Sequence, residues 1–379
     1  MEINLFKKAA KLRSSQINSI HYLRGVAALF VVLYHLKFYL NGVYGVKLLG
    51  DLLFKFGAFG VDLFFVISGF VICLATEKKE NRNPVVFLTH RVLRIYPLLI
   101  FCMMLFYFIF NYGADVAPFF RGVIPANANY NAGAPFFGWN VLIPAWTLTY
   151  EIAFYAIFLL SMLINEKHRA IISAFFIAVL VFSIQAIFSG EVILSAYNSN
   201  SFARGHWYHS LVTLLASPLF LDFIYGIFIF SIYSYMRDNK IVICNRWVVV
   251  LIALLFSSLS VVVTYTNAGH GPMRWGIACA VIIMALVVIE AKYKLKDSVV
   301  MFLIGDISYS LYLSHEIVIR LCTEFAEKHG FVDRLKGFPA LLVMVFICLV
   351  VAYVLHRTIE RPFISAGRKI SRKLVCIGT

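Results

Sequence analysis

Arg24 and His35 stand eleven residues apart in a stretch that is otherwise largely apolar. At ~3.6 residues per turn that spacing is close to three turns, so on a helix both side chains leave one face, about 16 Å apart along the axis. An imidazole with an ordinary pKa of ~6.5 can take a proton from a hydroxyl near neutral pH. A guanidinium on the same face would line one cavity with it. A lone histidine on an apolar helix also has a plainer reading, as a structurally satisfied side chain. Arg24 is what argues for chemistry.

The next polar groups fall in equally apolar surroundings. The run Phe59-Gly60-Val61-Asp62 through Ser68-Gly69-Phe70 holds a carboxylate and a hydroxyl six residues apart, hence on different faces of a helix. Asp62 and Ser68 are candidate substrate contacts, although Gly60, Ser68 and Gly69 equally suit close helix packing. Arg91 and Arg94 are three apart, neighbours on one face, and two guanidinium forks there suit the phosphates of an anionic cofactor. They also suit simple anchoring at a membrane surface. Glu151, in Trp146-Thr147-Leu148-Thr149-Tyr150-Glu151, is placed to orient an imidazole or bind a sugar hydroxyl. Ser308, Tyr312 and His315, at spacings of four and three, form a polar stripe that suits either substrate contact or hydrogen bonding across a bundle. Glu360-Arg361-Pro362 reads as a local cap or pair at the end of the last apolar segment.

These residues need an apolar scaffold, and the composition supplies one. The 379 residues are 61% hydrophobic and 14% charged, against about 45–50% and about 25% in soluble domains. Apolar blocks of about twenty residues, long enough for a hydrocarbon core of ~30 Å, can be drawn at 20–40, 57–76, 93–112, 143–164, 170–189, 211–236, 247–266, 274–291, 299–319 and 338–356. The fold class expected is therefore all-α, a polytopic transmembrane bundle of about ten helices forming a single domain over residues 1–379. The fourth and ninth blocks are interrupted by Glu151 and Asp306. Barrel strands are excluded because hydrophobicity does not alternate.

The net charge of +15 fits this topology without nucleic acid. With the N-terminus in the cytoplasm, 23 of the 34 Lys and Arg residues fall on that side, among them Lys7, Lys8, Lys11 and Arg13. Ten, including Arg204, fall on the other, and Arg24 lies within the first helix. An even number of spans returns the C-terminus to the cytoplasm. The seven cysteines form no CxxC pair or Cys/His cluster, so no metal site is expected. Two long outside connections, Asn111 to Leu142 and Gly190 to Ser210, carry aromatic groups suited to sugar rings or to an interfacial belt. No Gly-x-Ser-x-Gly, Walker A or His-Glu-x-x-His motif occurs.

The ordered set resembles the acyltransferase-3 family of membrane acyltransferases. It comprises Arg24 through ten residues to His35, Phe64-Phe65-Val66-Ile67-Ser68-Gly69-Phe70, Arg91-x-x-Arg94-Ile95-x-Pro97, Trp146-Thr147-Leu148-x-x-Glu151, Ser308-Tyr309-Ser310-x-Tyr312-Leu313-x-His315 and Glu360-Arg361-Pro362. The likeness runs over about residues 17–362. It departs at Thr147, where the family commonly has Ser, and in the absence of the extracytoplasmic hydrolase-like domain that some members carry. The resemblance implies transfer of an acyl group, most often acetyl from cytoplasmic acetyl-CoA, to a hydroxyl of an extracytoplasmic glycan at the bacterial inner membrane. In that likeness His35 is the catalytic imidazole, Arg24 supports it, and Arg91 and Arg94 lie near the donor. Lipopolysaccharide O-antigen, exopolysaccharide and peptidoglycan remain open as acceptors, and the oligomeric state is not readable. The rival reading is a glycan-lipid transporter or flippase, which would also use intramembrane charge and long outer loops.

Overall fold

The computed structural model describes residues 17–110, 116–197, 202, 205–264 and 269–377, with side chains to 374; Lys7, Lys8, Lys11, Arg13 and Arg204 lie outside them. Among the described residues every regular element is helical. The helices of eight residues or more are α1 (Asn18–Leu36), α2 (Gly60–Ala75), α3 (Pro84–Phe110), α4 (Trp146–Ile164), α5 (Arg169–Ser189), α6 (Phe220–Asp238), α7 (Asn245–Thr264), α8 (Ile277–Lys292), α9 (Val299–Asp306), α10 (Ser308–Lys328), α11 (Gly337–Leu355) and α12 (Arg361–Ile377).

Among the described residues eight segments are long and apolar enough to cross a membrane, and a ninth results if the bent pair His209–Leu215 and Phe220–Asp238 is one span. The protein is thus a multi-pass membrane protein. The 21-residue α10 is ~31 Å long but carries Glu316, Arg320, Glu324 and Glu327, and α9 is too short alone. The block drawn at 299–319 is therefore two helices broken at Ile307, the second running on to Lys328. The block drawn at 93–112 instead begins at Pro84. Asn83 caps it by accepting the Val85 and Val86 amides at 2.8 and 3.3 Å, and proline suits a first helical turn whose N–H has no partner.

Polar ties sort the ends of the bundle. At the end that holds Asn18, the carboxylate of Glu290 accepts the Asn18 and Ser19 amides at 2.8 Å each, filling donors that a helix start leaves open. There too Arg237 pairs with Glu77, and Arg169 donates to the Thr76 carbonyl at 2.6 Å. At the far end, Tyr44 accepts the Phe338 amide and Tyr197 accepts the His270 amide. The C-terminal α12 continues from α11 through a wide turn at His356–Glu360 and lies against α3, with Gly367 and Ser371 inward and Arg368, Lys369, Arg372 and Lys373 outward.

Lipid is as apolar as leucine, so close packing rather than water exclusion must hold such helices together. Two crossings show how. A Cβ on Gly69 would lie 2.1 Å from the Phe223 carbonyl, and one on Gly226 would lie 2.0 Å from the Val66 carbonyl, so only glycines let α2 and α6 touch. The second crossing, at Gly25 and Gly305, joins α1 to α9 beside Arg24.

Candidate active site

A cavity lies among α1, α2, α3, α4 and α10. Its polar lining consists of Arg24, Ser68, Arg91, Arg94, Thr147, Glu151, Tyr155, Tyr309 and Tyr312. Most of the residues singled out in the sequence thus converge from five helices on one space.

Each side chain is delivered by local structure. The glycine crossing beside Arg24 brings α1 onto the start of α10, and Arg24 Nη2 donates to Ser308 Oγ at 3.2 Å. Because α3 starts at Pro84, Arg91 sits two turns inside a helix and is only 8% exposed. That burial is not what a surface anchor would show. Its guanidinium lies 5.0 Å from the Tyr155 ring and 5.4 Å from the Phe87 ring, and its buried Nε has no hydrogen-bond partner. Glu151 accepts from Ser68 Oγ at 3.3 Å and from the Tyr155 hydroxyl one helical turn on. Tyr309 donates to the Ile95 carbonyl at 2.9 Å.

The electrostatics are lopsided. Three arginines and one carboxylate line the cavity, and no salt bridge among the described residues engages Arg24, Arg91 or Arg94. A space of low dielectric with surplus guanidinium forks suits a multiply charged anion.

His35 does not line this cavity, contrary to the expectation that it would share one with Arg24. Phe64 and Tyr312, both in its lining, pack edge to face at 5.5 Å; Tyr312 is held by the Pro144 carbonyl at 3.1 Å and by Thr147 Oγ1 at 3.0 Å. Past Tyr312 on α10 lies His315, whose ring is 5.0 Å from that of His35. The polar stripe therefore divides. Ser308 and Tyr312 bond across helices, whereas His315 bonds the Leu311 and Tyr312 carbonyls of its own helix.

Asp62 lies elsewhere again. Fully buried, it accepts from the Gly271 amide and meets His270 Nδ1, both at 2.7 Å, with buried Asp222 next to it. Around His270 stand Phe136, Trp146, Tyr197 and Trp275. Glu360 is not a local cap only; besides His356 it accepts a 2.6 Å bond from Ser310 Oγ on α10.

An acyltransferase-domain family model matches residues 17–357, nearly the whole chain. The chain belongs to the acyltransferase-3 family. Among curated proteins it is similar to the exopolysaccharide production protein ExoZ of Rhizobium meliloti (strain 1021), 25% identical over 331 residues that cover 83% of this chain and 92% of ExoZ. No solved structure matches the chain.

Within this acyltransferase-3 chain, reasoning from sequence missed three groups. Tyr155 was signalled by its place four residues after Glu151, the spacing of helical neighbours. Asp222 was signalled by being an acid inside an apolar block, the feature that marked Asp62. His270 carried no signal, since it lies in a connecting loop and reaches Asp62 across 208 residues.

Proposed function

We propose that the protein transfers an acyl group, acetyl from acetyl-CoA, to a hydroxyl of an extracytoplasmic glycan, an exopolysaccharide. Both termini are cytoplasmic in this reading, in the bacterial inner membrane, and the donor enters from that side. The observation that carries it is the cavity with three arginines and one carboxylate, which suits the phosphates of a coenzyme thioester. Likeness to ExoZ supports the exopolysaccharide acceptor.

Arg91 and Arg94 hold the donor's phosphates, and Arg24 carries charge nearer the thioester. The acyl end reaches His35 once the Phe64 and Tyr312 rings, packed edge to face in the lining, move apart. There the imidazole takes the proton of the sugar hydroxyl, the oxygen forms a bond to the acyl carbon, the C–S bond breaks, and the departing sulfur receives the proton from His35. The aromatic groups at the same end, with Trp139 and Tyr197 at 40% and 39% exposure, supply faces for sugar rings.

The test is mass spectrometry of the surface glycan from cells with the protein, without it, and with His35→Ala. Acetyl groups present only with the wild-type protein are expected, since losing a general base costs about 10²–10⁴-fold. Unaltered acetylation in cells expressing His35→Ala at normal level would remove His35 from the chemistry. A glycan whose amount at the cell surface changes without any change in acetylation would point to transport instead.

A further inference from the structure

His315 holds a position that aromatic packing alone does not explain. Its Nδ1 lies 2.7 Å from the Tyr312 carbonyl and 3.2 Å from the Leu311 carbonyl. A carbonyl oxygen only accepts, so Nδ1 carries the hydrogen, and in a neutral ring Nε2 is then a bare lone pair. That Nε2 is buried and has no hydrogen-bond partner, in a residue that is 0% exposed. Leaving such a buried acceptor unpaired is unfavourable. The ring opposite it is His35, centroid to centroid 5.0 Å at 58°. His35 is partly exposed, packs edge to face on Tyr34 at 5.2 Å, and makes no hydrogen bond among the described residues that would hold its nitrogens away from His315.

We infer that His315 is a positioning residue for His35: its Nε2 accepts the N–H of the His35 ring, leaving the other His35 nitrogen unprotonated and aimed at the acceptor hydroxyl. The inference rests on the reading of His35 as the base. Their exposures assign the roles, because only His35 is reachable by substrate. The two rings are not yet bonded in this structure, and bonds of this kind commonly tighten only with substrate in place. In the step itself the hydroxyl proton goes to the free His35 nitrogen, and the resulting imidazolium is steadied by His315 through its other N–H. The same proton then leaves on the thiolate as the C–S bond breaks. His315 keeps its own proton throughout.

The experiment compares His315→Phe with His315→Gln in the purified full-length protein. Acetyl-CoA is the donor, and surface polysaccharide from cells lacking the protein is the acceptor. Phenylalanine keeps the ring packing and removes the acceptor, whereas the glutamine amide oxygen can stand where Nε2 stands. Expected are a kcat lower by roughly tenfold or more in His315→Phe, an unchanged KM for acetyl-CoA, and recovery of most of the loss in His315→Gln. Wild-type kcat in His315→Phe, or equal losses in both variants, overturns the proposal. If His315→Phe fails to fold, His315→Met replaces it beside His315→Gln, and the same two outcomes overturn the proposal. His35→Ala, run in parallel, separates the two ideas: full activity there overturns the role of His35 itself, whereas its loss alongside an active His315→Phe overturns only the role of His315.

Discussion

Gly25 on α1 and Gly305 on α9 bring their backbones so close that a Cβ on Gly25 would lie 2.8 Å from the Gly305 amide nitrogen. Arg24 is the next residue to this contact, and Ser308, which receives its guanidinium, lies just past it. Gly25→Ala should therefore cost about 1–3 kcal/mol by overpacking, and Gly25→Val more. Thermal unfolding of the solubilised protein measures this. A midpoint for Gly25→Ala equal to wild type would show that the crossing tolerates a methyl group.

Glu151 is the one carboxylate in the cavity lining, and its removal has a definite sign. Glu151→Gln leaves a site of greater positive charge, so an anionic donor should bind as well or better while kcat falls through lost placement of Ser68 and Tyr155. Calorimetric titration with CoA, set beside turnover, separates the two effects. Weaker CoA binding in the variant would place Glu151 on the donor itself.

Arg91→Lys and Arg94→Lys should each weaken donor binding by about tenfold, corresponding to ~1.4 kcal/mol, because an ammonium does not reproduce a bidentate fork. The loss should appear in affinity for CoA, with part of the remaining binding sensitive to salt. Unchanged affinity in both variants removes both from donor binding and leaves Arg91 a packing role against Phe87 and Tyr155.

Ser310 and Glu360 tie α10 to the turn before α12 by a 2.6 Å bond in a buried setting. Ser310→Ala should destabilise by about 1–3 kcal/mol, since it removes a donor from a buried carboxylate. Glu360→Gln, which still accepts from Ser310, should cost less. Denaturation of the two variants in one detergent decides the order.

Orientation is open to direct labelling. A single cysteine at Lys8 should react with a membrane-impermeant thiol reagent only after cells are opened, and one at Tyr44 in intact cells once the outer barrier is permeabilised. The reverse pattern would invert the proposed direction of transfer.

Hydrophobic run length alone located α4 and α5 almost to the residue, because their blocks end at Ile164 and Ser189, where the helices end. It misplaced the start of α3, since a charge in an apolar run reads as an interface until an inward partner such as Tyr155 is known. The break at Ile307 was illegible as well; beside it His21 of α1, far away in sequence, meets the Phe302 carbonyl and Asp306. Period-based reasoning separated Asp62 from Ser68 correctly. It could not separate Arg24 from His35, because it gives the face of a helix and says nothing of how far along that face a cavity reaches.

The bond from Arg24 to Ser308 joins residues 284 apart, and that distance is also a delay. At ~5–20 residues per second of synthesis, roughly 15–60 s separate the appearance of Arg24 from that of its partner. Through that interval the first helix holds a guanidinium in the bilayer with its oxygen acceptor still unmade. A chain released before α10 would keep its apolar spans but leave this charge without the hydroxyl that receives it.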